Sequence, residues 1–155
     1  MSMSIDEIIE SYTETASGAT SFASTVFSDV VNLLIEAGYT PKESDLWLLN
    51  FATSKVHEDI LNSTNQRSVP DGLMKGSVGL IVAEFLKIKM ANASLTADET
   101  SGLHFLAVVK KLAEGDTTIE WDTNSSQSPE QRMMEFLQMM NDYRQKFIKY
   151  RCLSW

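Results

Sequence analysis

At 155 residues and 43% hydrophobic content, the chain suits one domain that buries roughly 70% of the surface its unfolded form exposes. Its single cysteine, Cys152, excludes a disulfide scaffold within the chain and points to a reducing compartment. A net charge of −8 argues against phosphate as the main partner, because sequence-independent nucleic-acid affinity comes from Lys and Arg displacing counterions. An acidic surface can instead line a channel through which DNA slides without being held.

The charge is uneven. Residues 1 to 50 hold Asp6, Glu7, Glu10, Glu14, Asp29, Glu36, Glu43 and Asp45 against Lys42 alone, whereas residues 142 to 151 hold Arg144, Lys146, Lys149 and Arg151 against Asp142 alone. Met1-Ser2-Met3-Ser4 leads into Asp6 and Glu7 without a basic start or an apolar run. No apolar stretch approaches the roughly 20 residues that span a bilayer. The sequence therefore predicts a soluble intracellular protein with no membrane partner.

Ser4 and Glu7 have capping-box spacing and open a helix over about 5–15. Ser and Thr dominate the next stretch and compete with the backbone for hydrogen bonds, so residues 16–24 read as linker. Val26, Phe27, Val30, Val31, Leu33, Leu34 and Ala37 recur at helical spacing and predict a second helix over about 24–37, with Gly38 as its left-handed stop. Thr40-Pro41-Lys42-Glu43 starts a long third helix with Leu46, Leu49, Val56, Ile60 and Leu61 as its apolar stripe. Trp47 and Phe51 widen that face, and the helix fades into Asn62-Ser63-Thr64-Asn65.

Pro70 opens a fourth helix ending near Asn92. Leu73, Val78, Ile81, Val82, Phe85, Leu86 and Ile88 make it so apolar that it belongs at the centre of the fold. Thr96 with Glu99 starts another, reaching Gly115. Thr117-Thr118-Ile119-Glu120-Trp121 is β-branched and aromatic and reads as a short strand or extended arm. Ser128-Pro129-Glu130-Gln131 combines cap, proline and glutamine at their preferred places and starts a final helix over about 129–149. The expected fold class is mainly α: a compact helical bundle with a short extended arm or β-hairpin before a long C-terminal helix. Its domains are an acidic N-terminal helix and linker (1–24), a helical body (25–150) and a C-terminal tail (151–155).

Catalytic chemistry is hard to assemble from these residues, so no catalytic, cofactor-binding or metal-ligating residue is predicted. His57 and His104 fall on different helices and read as surface or core histidines. Cys152 has no local His and reads as a small apolar packing residue rather than a nucleophile. One Cys and two distant His offer no zinc spacing. Asp6, Glu10 and Glu14 share a helical face that reads as solvated. Gly72, Gly76 and Gly79 lack the Gly-Lys-Ser/Thr ending of a phosphate loop. Met133, Met134, Met139 and Met140 line the last helix with Phe136, Leu137, Tyr143, Phe147 and Ile148. About half of these methionines suit core packing, and the rest suit an adaptable interaction surface. The chain ends in Tyr150-Arg151-Cys152-Leu153-Ser154-Trp155, and a terminal Trp carries roughly 150–250 Å² of surface that prefers burial. Such an end frays unless something holds it, and it reads as a plug for a partner.

Four segments in order carry a resemblance. They are Asp59-Ile60-Leu61-Asn62-Ser63-Thr64-Asn65 with Val69-Pro70-Asp71-Gly72-Leu73, then Val82-Ala83-Glu84-Phe85-Leu86-Lys87, then Val108-Val109-Lys110-Lys111-Leu112-Ala113-Glu114-Gly115-Asp116-Thr117-Thr118-Ile119, and finally Tyr150 to Trp155. Over about residues 26–155 the chain resembles the head-tail connector (adaptor) proteins of tailed bacteriophages. That resemblance implies a structural virion protein without enzymatic activity or cofactor. It implies a homo-oligomeric ring, commonly of twelve copies, in the neck between the portal and the tail terminator or head-completion proteins. DNA would pass through its channel without specific binding, and assembly would take place in the bacterial host cytoplasm. By the same resemblance Lys149, Tyr150, Arg151, Leu153 and Trp155 would form the portal-binding tail. Glu114, Asp116, Thr118, Ile119 and Trp121 would meet a neighbouring subunit or the next ring. The alternative from another class is a small helical regulator or assembly chaperone that binds a partner through its Met-rich last helix.

Overall fold

The computed structural model describes residues 4–16, 21–92, 94–96, 99 and 128–153. They form a mainly α bundle of five α-helices with three 3-10 segments and, among the described residues, no strand. The helices are α1 (Ile5–Ala16), α2 (Ser21–Glu36), α3 (Leu46–Thr64), α4 (Met74–Ala91) and α5 (Pro129–Tyr143). The expected extended arm at 117–121 and most of the helix expected after Thr96 lie outside the described residues.

The predicted starts are made by the predicted atoms. Ser4 and Glu7 cap α1 reciprocally, with the Glu7 amide donating to Ser4 Oγ at 3.2 Å and the Ser4 amide to the Glu7 carboxylate. Thr96 and Glu99 exchange the same pair at 3.0 and 3.1 Å, as do Ser128 and Gln131 at 3.0 and 3.2 Å. Gly38, at φ 95°, ends α2 in the left-handed turn that a side chain would strain. The Tyr39 amide then donates back to the Leu34 carbonyl at 2.9 Å.

Four boundaries differ from expectation, one of them the helix expected from Pro70, which opens with a 3-10 turn at Asp71–Leu73 and is α only from Met74. Helix α2 begins at Ser21 inside the expected linker, because Phe22 and Ala23 are buried and tertiary contact outweighs the local preference of Ser and Thr. The third helix opens with a 3-10 turn at Glu43–Asp45 before becoming α at Leu46, since Asp45 turns inward and accepts the Lys42 amide at 2.9 Å. The last helix tightens to 3-10 over Arg144–Tyr150. With three residues per turn, Arg144, Phe147 and Tyr150 then fall on one row. That row faces the bundle: Arg144 reaches Asp59 at 2.9 Å, Phe147 is buried and Tyr150 packs against the core.

Helix α4 is central, as its composition predicts. Every residue from Gly76 to Leu86 is buried, and α2, α3 and α5 all pack on it. Two of its polar residues are buried in ion pairs. Glu84 meets Lys55 of α3 at 2.7 Å, with Arg144 at 3.9 Å from its other oxygen. Lys89 donates to Asp45 Oδ1 at 2.8 Å and to the Tyr39 hydroxyl at 2.6 Å, while that hydroxyl donates to Asp45 Oδ2 at 2.7 Å. The Lys89 ammonium also lies over the Tyr39 and Phe85 faces, 5.0 and 5.6 Å from their centroids. Burial, and then the adjacent Asp45 carboxylate, push the Tyr39 phenol far above its ordinary range. Lys42 and Glu99 pair at the rim, and the hydrogen bond between them raises the pKa of the lysine and lowers that of the glutamate.

The expected apolar stripe of α3 is half right. Leu49, Val56 and Ile60 are fully buried, but Trp47 and Phe51 point outward. Both lie to one side of the stripe, and the bundle covers only a single stripe of this helix. Among the methionines, Met133 and Met140 are core residues while Met134 is 54% exposed.

Two glycines, Gly76 in α4 and Gly72 in the 3-10 turn (Asp71–Leu73) before it, are explained by the C-terminal segment. A Cβ on Gly76 would lie 1.9 Å from the Tyr143 ring, and one on Gly72 would lie 2.1 Å from the Tyr150 hydroxyl. Gly76→Ala gains up to about 1 kcal/mol of helix propensity but must displace Tyr143 from a filled site. Net destabilisation of about 1–2 kcal/mol is expected from such overpacking. In a Tyr143→Ala background the same substitution should stabilise instead. Urea unfolding of the four proteins in this cycle checks both signs.

Candidate functional site: the C-terminal tail and its seat

From Tyr143 to Leu153 the chain holds Arg144, Lys146, Lys149 and Arg151 and no acid. The 3-10 geometry sorts these residues. Its inward row uses Arg144, leaving Gln145 and Ile148 on one outward row and Lys146 and Lys149 on the next, with Arg151 following as the extended residue that ends the helix. Lys146 lies over the Tyr143 face at 5.0 Å from the centroid. Lys149, Arg151, Cys152 and Leu153 are exposed. Ile148 is 75% and Leu153 71% exposed, so two large apolar side chains face outward among three cations.

The backbone beneath them is held. A helix leaves its last carbonyls without intrahelical partners, and at the end of α3 one of these is supplied by the tail. The Cys152 amide donates to the Thr64 carbonyl at 2.7 Å. Asn65, in the left-handed conformation that ends α3 at φ 52°, donates from its side-chain amide to the Cys152 carbonyl at 3.0 Å. Gln66 donates from its side chain to the Tyr150 carbonyl, and the Arg151 amide closes the last turn on Ile148 at 3.2 Å. Tyr143 and Tyr150 fill the hollows over Gly76 and Gly72. Burial pushes the Tyr143 phenol up, with a smaller contribution from Tyr150.

Of the residues expected in the tail, Lys149, Arg151 and Leu153 are exposed and Tyr150 is half-buried in the seat. Trp155 lies outside the described residues, as do Glu114, Asp116, Thr118, Ile119 and Trp121. Cys152 is a correction: expected as a packing residue, it is exposed and contributes through its backbone. The condition under which such an end does not fray is met as far as Cys152, because the end of α3 gives this backbone its partners. Sequence reasoning missed Thr64, Asn65 and Gln66 as the seat. The available signal was an Asn at a helix end, which favours the left-handed cap.

His57 stacks on Phe22 with centroids 4.9 Å apart and an interplanar angle of 25°. A shallow depression of about 200 Å³ lies beside it, lined by Ala23, Asn50, Thr53 and Ser54. Burial lowers its pKa, opposed by Glu58. A histidine depressed on folding binds its proton more readily when unfolded. Its favourable contribution is therefore present above the ordinary imidazole value of about 6.5 and lost as pH falls through the folded value. His57→Gln should flatten the decline of stability below that pH, as urea midpoints across the pH range will show.

No group of three His, Cys, Asp or Glu that could hold a metal occurs among the described residues, and none of their helices is long and apolar enough to cross a membrane. Compared with protein-family models, with curated proteins and with solved structures, the chain finds no match.

Proposed function

We propose that this protein is a structural component of a tailed-phage virion, a head-tail connector that assembles as a ring, probes the portal with its C-terminal tail and joins it to the tail terminator or head-completion proteins. The observation that carries this reading is the tail itself. Exposed cations and two outward apolar side chains stand on a backbone tied to the end of α3, so residues 148–153 are presented on a held backbone. The four-segment resemblance and the mainly α bundle support it. An acidic chain beside DNA suits a channel wall that repels rather than binds. On this reading the protein has no enzymatic activity and needs no cofactor.

The regulator or chaperone reading rests on Met134, which is 54% exposed, because Met133 and Met140 belong to the core. Negative-stain electron microscopy of the purified protein, alone and mixed with portal protein, tests the proposal. Rings alone or on the portal are expected. Monodisperse small particles that ignore the portal would overturn it and favour the regulator.

A further inference from the structure

Two exposed apolar patches stand at opposite ends of α3. At its start Trp47 is 72% exposed and stacks on Phe51, 45% exposed, with centroids 5.5 Å apart and an interplanar angle of 15°. Glu43, Ser54 and Glu58 continue this exposed face at spacings of three and four residues. The patch thus carries two carboxylates, and the one base at the same spacing, Lys55, is turned to Glu84 at 2.7 Å. At the far end is the Ile148 row of the 3-10 helix, with Lys146, Lys149 and Arg151 around it and no acid.

The bond from Cys152 to Thr64 fixes the second patch at the C-terminal end of α3. Phe51 lies thirteen residues earlier on the same helix, which at 1.5 Å per residue is about 20 Å along the axis. A rigid helix keeps the two patches apart within one copy. Their chemistry is nonetheless complementary: an aromatic pair edged with carboxylates, and an aliphatic row edged with cations. An exposed Trp is the residue type most enriched where binding energy concentrates, and such residues pair with apolar anchors across an interface.

We infer that the Trp47–Phe51 patch is the docking surface for the Ile148 row of the next copy of this chain. This rests on the ring reading above and specifies its subunit contact. Joining different patches of successive copies is a heterologous contact, which leaves one of each patch open at the ends of every partial assembly and therefore propagates until it closes. The carboxylates of Glu43 and Glu58 oppose Lys146 and Lys149, so the contact weakens as salt screens them. Arg151 and Leu153 remain available to the portal.

The single native cysteine makes the test direct. Ser54 is exposed on the first patch, and ten residues separate it from Thr64, to which Cys152 is bonded. That is about 15 Å along the helix, against the roughly 7 Å Cα limit of a disulfide. A bond between an introduced thiol at position 54 and Cys152 must therefore join two chains. Ser54→Cys protein, assembled alone or on portal protein and oxidised with diamide, should give a ladder of linked multimers on non-reducing gels, with peptide mapping that assigns the 54–152 bond. Trp47→Ser with Phe51→Ser should leave the circular dichroism unchanged and weaken assembly about tenfold or more. Rings that form without a 54–152 bond, that link only Cys152 to Cys152, or that survive the double substitution at full strength would overturn this contact and leave the ring reading standing. Absence of any ring in wild-type protein would overturn the ring reading, and this inference with it.

Discussion

Asp45→Ala is expected to lower the unfolding free energy by about 3–5 kcal/mol, the usual cost of leaving a buried charge without its partner. Asp45 and Lys89 are both almost wholly buried. Removing the carboxylate leaves the Lys89 ammonium with the Tyr39 hydroxyl, the faces of Tyr39 and Phe85 and the more distant Glu99 charge, and it also frees the Lys42 amide. Asp45→Asn should recover part of the hydrogen bonding and little of the charge compensation. Replacing both partners by apolar residues of similar size, Asp45→Leu with Lys89→Met, should be far milder than the single change, because the cost lies in the stranded charge more than in the lost pair. Urea unfolding followed by circular dichroism measures all three. A loss under about 1 kcal/mol for Asp45→Ala would show the cluster to be better solvated than its burial implies.

The same cluster has a structural task that scales with this energy. Asp45 sits in the 3-10 turn before α3, Tyr39 in the turn after α2, and Lys89 in the last turn of α4. Two neighbouring turns and the end of α4 are joined by three hydrogen bonds, so Asp45→Ala should also loosen the angle at which α3 leaves the turn. Faster amide exchange at Tyr39 and Asp45 relative to α4 would register that.

Deleting residues 151–155 should cut portal affinity by about 100-fold or more while leaving the bundle folded. Buried Arg and Trp anchors contribute about 2 kcal/mol or more each, and each 1.4 kcal/mol is about tenfold. The deletion removes the Cys152 bonds to Thr64 and Asn65, a stability cost of about 1–3 kcal/mol at the usual worth of a hydrogen bond. The packing of Phe147 and Tyr150 remains. Titration of the truncated protein against immobilised portal, with its thermal melt recorded in parallel, separates the two effects. Portal affinity equal to wild type in a folded truncation would remove the tail from the proposed function. Thr64→Val keeps the backbone carbonyl that accepts from Cys152, so it serves as a control that should leave portal binding intact.

What could be read from the sequence and what could not divide along a physical line. Helix existence, the capping boxes at Ser4, Thr96 and Ser128, the left-handed stop at Gly38 and the central place of α4 were all legible, because each depends on residues within a turn or two of one another. The basic, apolar character of the tail was legible for the same reason. The start of α2 at Ser21 was not, since Phe22 and Ala23 override a Ser/Thr-rich stretch only once there is a bundle to bury them. Nor was the outward turn of Trp47 and Phe51, because a helical period says that a face is apolar without saying how much of it neighbours will cover.

The tail's seat lay furthest from view. Thr64, Asn65 and Gln66 meet Tyr150 and Cys152 across more than eighty positions. Gly72 and Gly76, whose spacing was read as no phosphate loop and given no role, leave room for two tyrosines from the other end of the chain. Short-range preference, set by backbone sterics and capping groups, is written into neighbouring residues and so was determined by the sequence alone. Which surfaces meet, which polar groups are thereby desolvated and paired, and which apolar side chains stay exposed depend on contacts between distant segments, and only the tertiary structure decided them.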